Sequence, residues 1–143
     1  MVSLAVGDVL LCGDTLFVGS VPRPDLEAGD DGAEEAAREL HRTLTGRLSR
    51  FDDDTVVAPG HYSEATSPRE DGTYAARLGV LRERQFAFDV DADEFVDRVL
   101  SGMPPRPANV ETIVEINLGR EAADDEDAFE LELGPNNCAA TAD

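Results

Sequence analysis

Val9-Leu10-Leu11-Cys12-Gly13-Asp14-Thr15-Leu16-Phe17, answered further along by Thr55-Val56-Val57-Ala58-Pro59-Gly60-His61, decides the fold of this chain. Each stretch holds a short apolar run that ends at glycine or Pro-Gly, and each is followed by a residue able to bind a metal. Continuous apolar runs of this length read as strands buried on both faces. Between them Ala37, Leu40, Leu44, Leu48 and Phe51 recur at three- and four-residue spacing, which predicts a helix over 34–51 with one apolar stripe. Glu34 and Glu35 near its start and Arg47 and Arg50 near its end suit the helix dipole. Leu16-Phe17-Val18 reads as a further short strand, so the first sixty residues are expected to run strand, strand, helix, strand. Asp14 and His61 then both fall at strand ends, where loops commonly carry binding groups.

Outward from that core, Pro22 and Pro24 predict an extended, irregular loop, and 27–32 a charged, glycine-containing connection. Asp52-Asp53-Asp54 reads as a turn, 62–72 as a polar loop and 74–84 as a helix containing Gly79. Asp91 offers an N-cap, and Glu94 a capping-box partner, to a helix through Leu100 with Phe95, Val96, Val99 and Leu100 on its apolar face. Pro104-Pro105-Arg106-Pro107 is a rigid, extended connector. Asn109 is placed to cap a short helix around Ile113, Val114 and Ile116, stopped at Gly119. The pattern is α/β. One domain is expected over 1–120, followed by an acidic, flexible tail over 121–143.

Charge excludes some partners. Against 31 Asp and Glu stand 12 basic residues, every one an arginine, for a net charge of −19. Such a surface repels nucleic-acid phosphates and anionic lipid heads, so neither is expected as a partner. Acidic residues run from Asp8 to Asp143 without a lysine anywhere, a pattern that suggests adaptation to a high-salt cytoplasm. Cys12 and Cys138 form no disulfide framework, and a reducing compartment fits them. With neither a signal-peptide pattern nor a long apolar span, the chain is expected to be soluble and cytoplasmic.

Asp14 alone could simply close a turn, and His61 alone could be a surface loop histidine. Taken in order with their neighbours, they resemble a known family. Gly13-Asp14-Thr15-Leu16-Phe17 and Pro59-Gly60-His61 are similar to the Gly-Asp-x-Leu-Phe and Pro-Gly-His segments of the metallo-β-lactamase fold. Arg23-Pro24-Asp25-Leu26 resembles the Gly-Arg-x-Asp segment of its glyoxalase II and persulfide dioxygenase branch, with Pro22 in place of the usual glycine. Pro104 to Asn109 and Ile116-Asn117-Leu118-Gly119 resemble the C-terminal end of the persulfide dioxygenase-like members. The likeness covers about residues 7–120.

The resemblance implies the C-terminal half of an αβ/βα sandwich, a mixed sheet with flanking helices. It also implies a metal-dependent enzyme on a small thiol-linked substrate: hydrolysis of a thioester with zinc or iron, or oxidation of a persulfide with iron. Asp14 matches the metal-binding aspartate, a ligand in the one-metal and two-metal forms alike. His61 matches the histidine that completes a second metal site, and would only stand near a single iron. Both are the expected catalytic positions. Arg23 and Asp25 match groups behind the metal or beside the substrate, with a solvent-exposed ion pair as the plain alternative. The family's His-x-His-x-Asp-His segment has no counterpart here, and His41, mid-helix beside Leu40, reads as a helix-boundary residue. One histidine and one aspartate are too few for tight binding. The chain is therefore expected to need an N-terminal half-chain, or a second copy of itself, or else to be a non-catalytic remnant or subunit.

Overall fold

The computed structural model describes residues 2–62, 66–107, 109–132 and 139–140. β1 (Leu4–Val6) and β2 (Val9–Gly13) form an antiparallel pair around Gly7, whose φ of 61° suits the tight reversal. A short strand β3 (Val21–Pro22) leads into α1 (Asp25–Arg42), which passes into a π-helical stretch 43–47 and a 3₁₀ turn 48–50. β4 (Val56–Pro59) returns parallel to β2, and β5 (Ala76–Arg77) pairs antiparallel with β4. The sheet order is therefore β1-β2-β4-β5, a mixed sheet, with α1 in the crossover between its two central strands. α2 (Leu78–Arg84), a 3₁₀ turn 86–88, α3 (Ala92–Ser101) and α4 (Val110–Asn117) complete the part expected to be globular.

The alternation of the strands divides the sheet into unlike faces. Leu10, Cys12 and Val57 point to one side and are buried there with Ala37 and Leu44 of the α1 region and Phe95, Val96 and Val99 of α3. Leu4, Val6 and Leu11 point to the other side and remain 58%, 63% and 45% exposed. Leu4 faces Leu11 directly in the register, so these side chains form one apolar strip rather than scattered exceptions.

Three expected elements fall elsewhere. Leu16 to Val18 is no strand: the Thr15 amide donates to the Cys12 carbonyl and the Phe17 amide to Ser20, folding the segment into a tight loop. Leu16 and Phe17 are nevertheless buried, which is what made the run look like a strand; the second strand is Leu4–Val6 instead. The connection expected at 27–32 is helical, because α1 starts at Asp25 and absorbs Gly29, at φ 69°, as a kink. The expected helix 74–84 gives its first part to β5 and starts at Leu78.

The caps differ in a similar way. Asp91 caps α3 by accepting from the amides of Asp93 and Glu94, both at 3.0 Å, but Glu94 pairs with Arg98 along the helix instead of closing a capping box. Asn109 stands at the start of α4 without a side-chain cap, and Gly119, at φ 70°, ends the helix as expected. Within 121–143, α5 (Asp125–Glu132) is helical and β6 (Ala139–Ala140) pairs with β3. Cys138 lies outside the described residues. No helix among the described residues is long and apolar enough to cross a membrane.

Candidate metal centre

β2 and β4 lie side by side and end at the same level, with Gly13 opposite Pro59. Past that level the Gly60 amide still donates to the Gly13 carbonyl, at 2.9 Å, so the two loops leave the sheet joined. Asp14 follows one strand and His61 the other, and the loops bring Asp14 Oδ1 to 2.5 Å from His61 Nδ1. Both side chains are partly open to solvent. Gly60 packs closely on the pair: a Cβ there would stand 3.4 Å from Asp14 Oδ1 and Gly13 Cα, at the near edge of ordinary van der Waals contact.

A carboxylate only accepts hydrogen bonds, so Nδ1 carries the proton of this bond and Nε2 of a neutral ring keeps its lone pair. An imidazole nitrogen and a carboxylate oxygen make a donor set that suits zinc or iron. They are two ligands only. Among the described residues no group of three or more His, Cys, Asp or Glu side chains comes together as a metal site.

The surroundings fix the pair. Phe17 meets the His61 ring edge to face, with centroids 6.3 Å apart and planes at 83°. Tyr62, next in the chain, stacks on Tyr74 with centroids 3.6 Å apart. Beneath Asp14, the buried Cys12 thiol donates to the Leu16 carbonyl at 3.1 Å. Burial raises the Cys12 pKa to about 11; the Leu16 bond lowers it and the Asp14 charge raises it further. To one side a groove of about 870 Å³ runs from Asp14 and Thr15 past Arg23 to Leu40 and Phe51, and His61 does not line it.

Arg23 and Asp25 are brought together away from solvent. Arg23 is 6% exposed and Asp25 1%. The guanidinium donates to both carboxylate oxygens, at 2.7 and 2.9 Å, and also to the Pro105 carbonyl. Arg106 adds a bond to Asp25 at 2.7 Å and reaches Asp30 as well. Burial alone would push the Asp25 carboxyl up, but the bonds from Arg23 and Arg106 and the charge of Arg23 hold it down at about 2. This is a buried Arg23–Asp25 pair, extended outward by the half-buried Arg106 to the exposed Asp30, that ties the start of α1 to the 104–107 connector, in place of the surface ion pair that the sequence left open. His41 is buried too, its Nε2 bonded to the Val90 carbonyl and its ring against Phe95, a structural role.

Sequence reasoning missed Gly60 as the spacer, Arg106 as the second partner of Asp25, and Gln85 beneath the Asp14 loop. The apolar run ending in Pro-Gly signalled Gly60, and the lone arginine among prolines signalled Arg106. Gln85 carried no signal, because its partners are main-chain carbonyls distant in sequence.

No family model matches the chain. An uncharacterised protein of Mycobacterium leprae is 42% identical over 59 residues, covering 41% of this chain and 24% of that protein. An uncharacterised protein of Aquifex aeolicus is 40% identical over 62 residues, 43% of this chain and 26% of its own length. Among solved structures, a metallo-β-lactamase from Staphylococcus aureus superposes with a TM-score of 0.66 at 23% identity, over 81% of this chain and 33% of that one. ETHE1 from Myxococcus xanthus does so with a TM-score of 0.66 at 25% identity, over 80% of this chain and 46% of that one. The α/β architecture, a mixed sheet with flanking helices, is thus the one found in metallo-β-lactamase-fold structures. The chain spans about a quarter of the curated relatives it matches, and between a third and a half of the solved structures.

Proposed function

We infer that this chain supplies two metal ligands, Asp14 and His61, to a metal-dependent enzyme of the metallo-β-lactamase fold acting on a thioester or a persulfide. One observation carries the reading: two potential ligands separated by 47 positions meet at the ends of adjacent parallel strands, 2.5 Å apart. Asp14 would hold zinc or iron through its carboxylate; His61 would offer Nε2, on the far edge of its ring, to a second ion, or Nδ1 to the same ion in place of the bond to Asp14. When bound there, the metal supplies a Lewis acid for a polarised carbonyl or sulfur substrate and acidifies water. The chain's own part is to hold the carboxylate and imidazole at fixed spacing, through the Gly60–Gly13 backbone bond between the two loops. The persulfide side of the proposal rests on the likeness of 104–109 and 116–119 to that branch.

The remaining ligands come, in this reading, from the rest of the fold. The exposed strip of Leu4, Val6 and Leu11 supports this, since a sheet with a second apolar face is stable only when that face is covered. The same strip favours the second reading, a non-catalytic subunit that pairs through the sheet. The test joins or mixes the chain with a polypeptide of the complementary half carrying His-x-His-x-Asp-His, then measures metal content and turnover of thioester and persulfide substrates. Metal uptake with turnover in the combination supports the enzyme. Pairing without metal supports the subunit, and tight stoichiometric metal on the chain alone refutes the half-site.

A further inference from the structure

We propose that Gln85 is the positioning residue of the Asp14–His61 pair, setting the His61 imidazole through Phe17. The inference rests on the reading of that pair as metal ligands and extends it to a residue remote from both loops. Gln85 closes α2 and is buried, 6% exposed. Its Nε2 donates to two successive carbonyls of the Asp14 loop, Phe17 at 2.7 Å and Val18 at 3.2 Å. Turning the amide over would set oxygen against both carbonyls, so its orientation is fixed by chemistry. The cost of that choice is visible in Oε1, which is buried without a hydrogen-bond partner among the described residues.

A side chain that leaves its own acceptor unmatched gains little net stability from two carbonyl bonds. What it supplies is placement. Two donors on one planar amide fix two neighbouring peptide units, and with them the direction of the Phe17 side chain. The Phe17 ring in turn stands edge-on to His61, whose Nδ1 is bonded to Asp14. The loop's other anchors, the Cys12 thiol to Leu16 and the Phe17 amide to Ser20, fix its neighbours but not these two carbonyls. Gln85 is therefore the group through which α2 sets the metal pair.

The experiment follows the ring ¹H and ¹⁵N signals of His61 in the metal-free chain, alongside urea unfolding, and then titrates Co²⁺. Gln85→Met keeps the volume and removes both donors. It is expected to move the His61 signals and weaken Co²⁺ binding about tenfold, as loss of an orienting partner does at metal sites. Phe17→Leu leaves both carbonyl bonds in place and, because it also removes the ring current on His61, is read by Co²⁺ binding, which is expected to weaken as in Gln85→Met. A merely structural glutamine would lower stability while leaving the His61 signals of folded Gln85→Met unchanged, and that result overturns the proposal. Should Gln85→Met fail to fold, Gln85→Glu, which offers at most one donor, decides it: unchanged His61 signals in the folded variant overturn it. If the His61 signals of the chain joined to the complementary half carrying His-x-His-x-Asp-His ignore Co²⁺, the metal assignment falls instead, and the metal-free signals still judge Gln85.

Discussion

Asp14 and His61 meet at 2.5 Å although the carboxylate leaves β2 and the imidazole leaves β4, because the backbone bond from Gly60 to Gly13 holds the two strand ends together beyond the sheet. The two side chains are thus positioned by main chain, and their geometry should respond to backbone changes as strongly as to side-chain ones.

Gly60→Ala tests that directly. The added methyl would stand 3.4 Å from both Asp14 Oδ1 and Gly13 Cα. Crowding of this kind costs about 1–3 kcal/mol where neighbours cannot yield. Urea unfolding should show a loss near the lower end, and the His61–Asp14 hydrogen bond should lengthen, read from the His61 Nδ1 proton shift. A variant as stable as wild type with an unchanged shift would mean the loops adapt freely.

Asp14→Ala and His61→Ala should each remove the response of the chain to Co²⁺, seen in the visible spectrum and at neighbouring amides. Neither side chain is in the core, so both variants should keep wild-type stability to within about 0.5 kcal/mol. Wild-type Co²⁺ spectra in the doubly substituted chain would place the metal elsewhere.

Asp25→Asn should cost about 3–5 kcal/mol, because it leaves the buried Arg23 guanidinium without its counter-charge. The pH dependence has a defined sign. The carboxyl is held down at about 2 in the folded chain, below its ordinary value of 3.8, so its stabilisation is complete above that ordinary value. It fades as pH falls toward 2. Unfolding curves collected between those limits should flatten in Asp25→Asn relative to wild type; parallel curves would contradict the network.

Salt should stabilise the chain. A net charge of −19 is self-repelling, and molar KCl screens it within about 3 Å. The exposed pairs that salt weakens, such as Arg42 with Glu35 and Glu39, contribute little in any case. Thermal unfolding from low salt to molar KCl is expected to rise on the order of 5 °C. A fall in Tm would mean the ion pairs outweigh the repulsion.

Leu11→Asp probes the open face of the sheet. Leu11 is 45% exposed, so the substitution should change the chain's own stability by no more than about 1 kcal/mol. It should abolish assembly with a complementary half, measured by sedimentation. Intact assembly would place the partner elsewhere.

Much of this was legible in the residues themselves. The runs at Val9 and Val56 gave the paired central strands, the stripe from Ala37 to Leu48 gave the crossover helix, and Asp91 gave the cap of α3. Together these were enough to put Asp14 and His61 at neighbouring strand ends. Leu16 and Phe17 misled because burial in a loop and burial in a strand leave the same apolar trace. β1 was missed because Leu4–Val6 is only three residues long and its leucine and valine side chains face outward. The start of α1 was hidden by Gly29 and Gly32, which the helix tolerates through a kink and by packing on Ala28. Of the site, the pair was readable. Gly60 and Arg106 stood out locally, but their partners lie across long separations, and Gln85 acts on distant backbone that no local pattern encodes.

Cys12 offers a use beyond its place in the core. Its sulfur lies wholly out of reach of reagents, sealed between the helical layer and the loop that carries Asp14. With Cys138 replaced by serine, an alkylating agent can label the chain only during moments when β2 parts from its cover. The rate of labelling then times those openings, so the protein carries its own clock for how often the Asp14 loop comes loose.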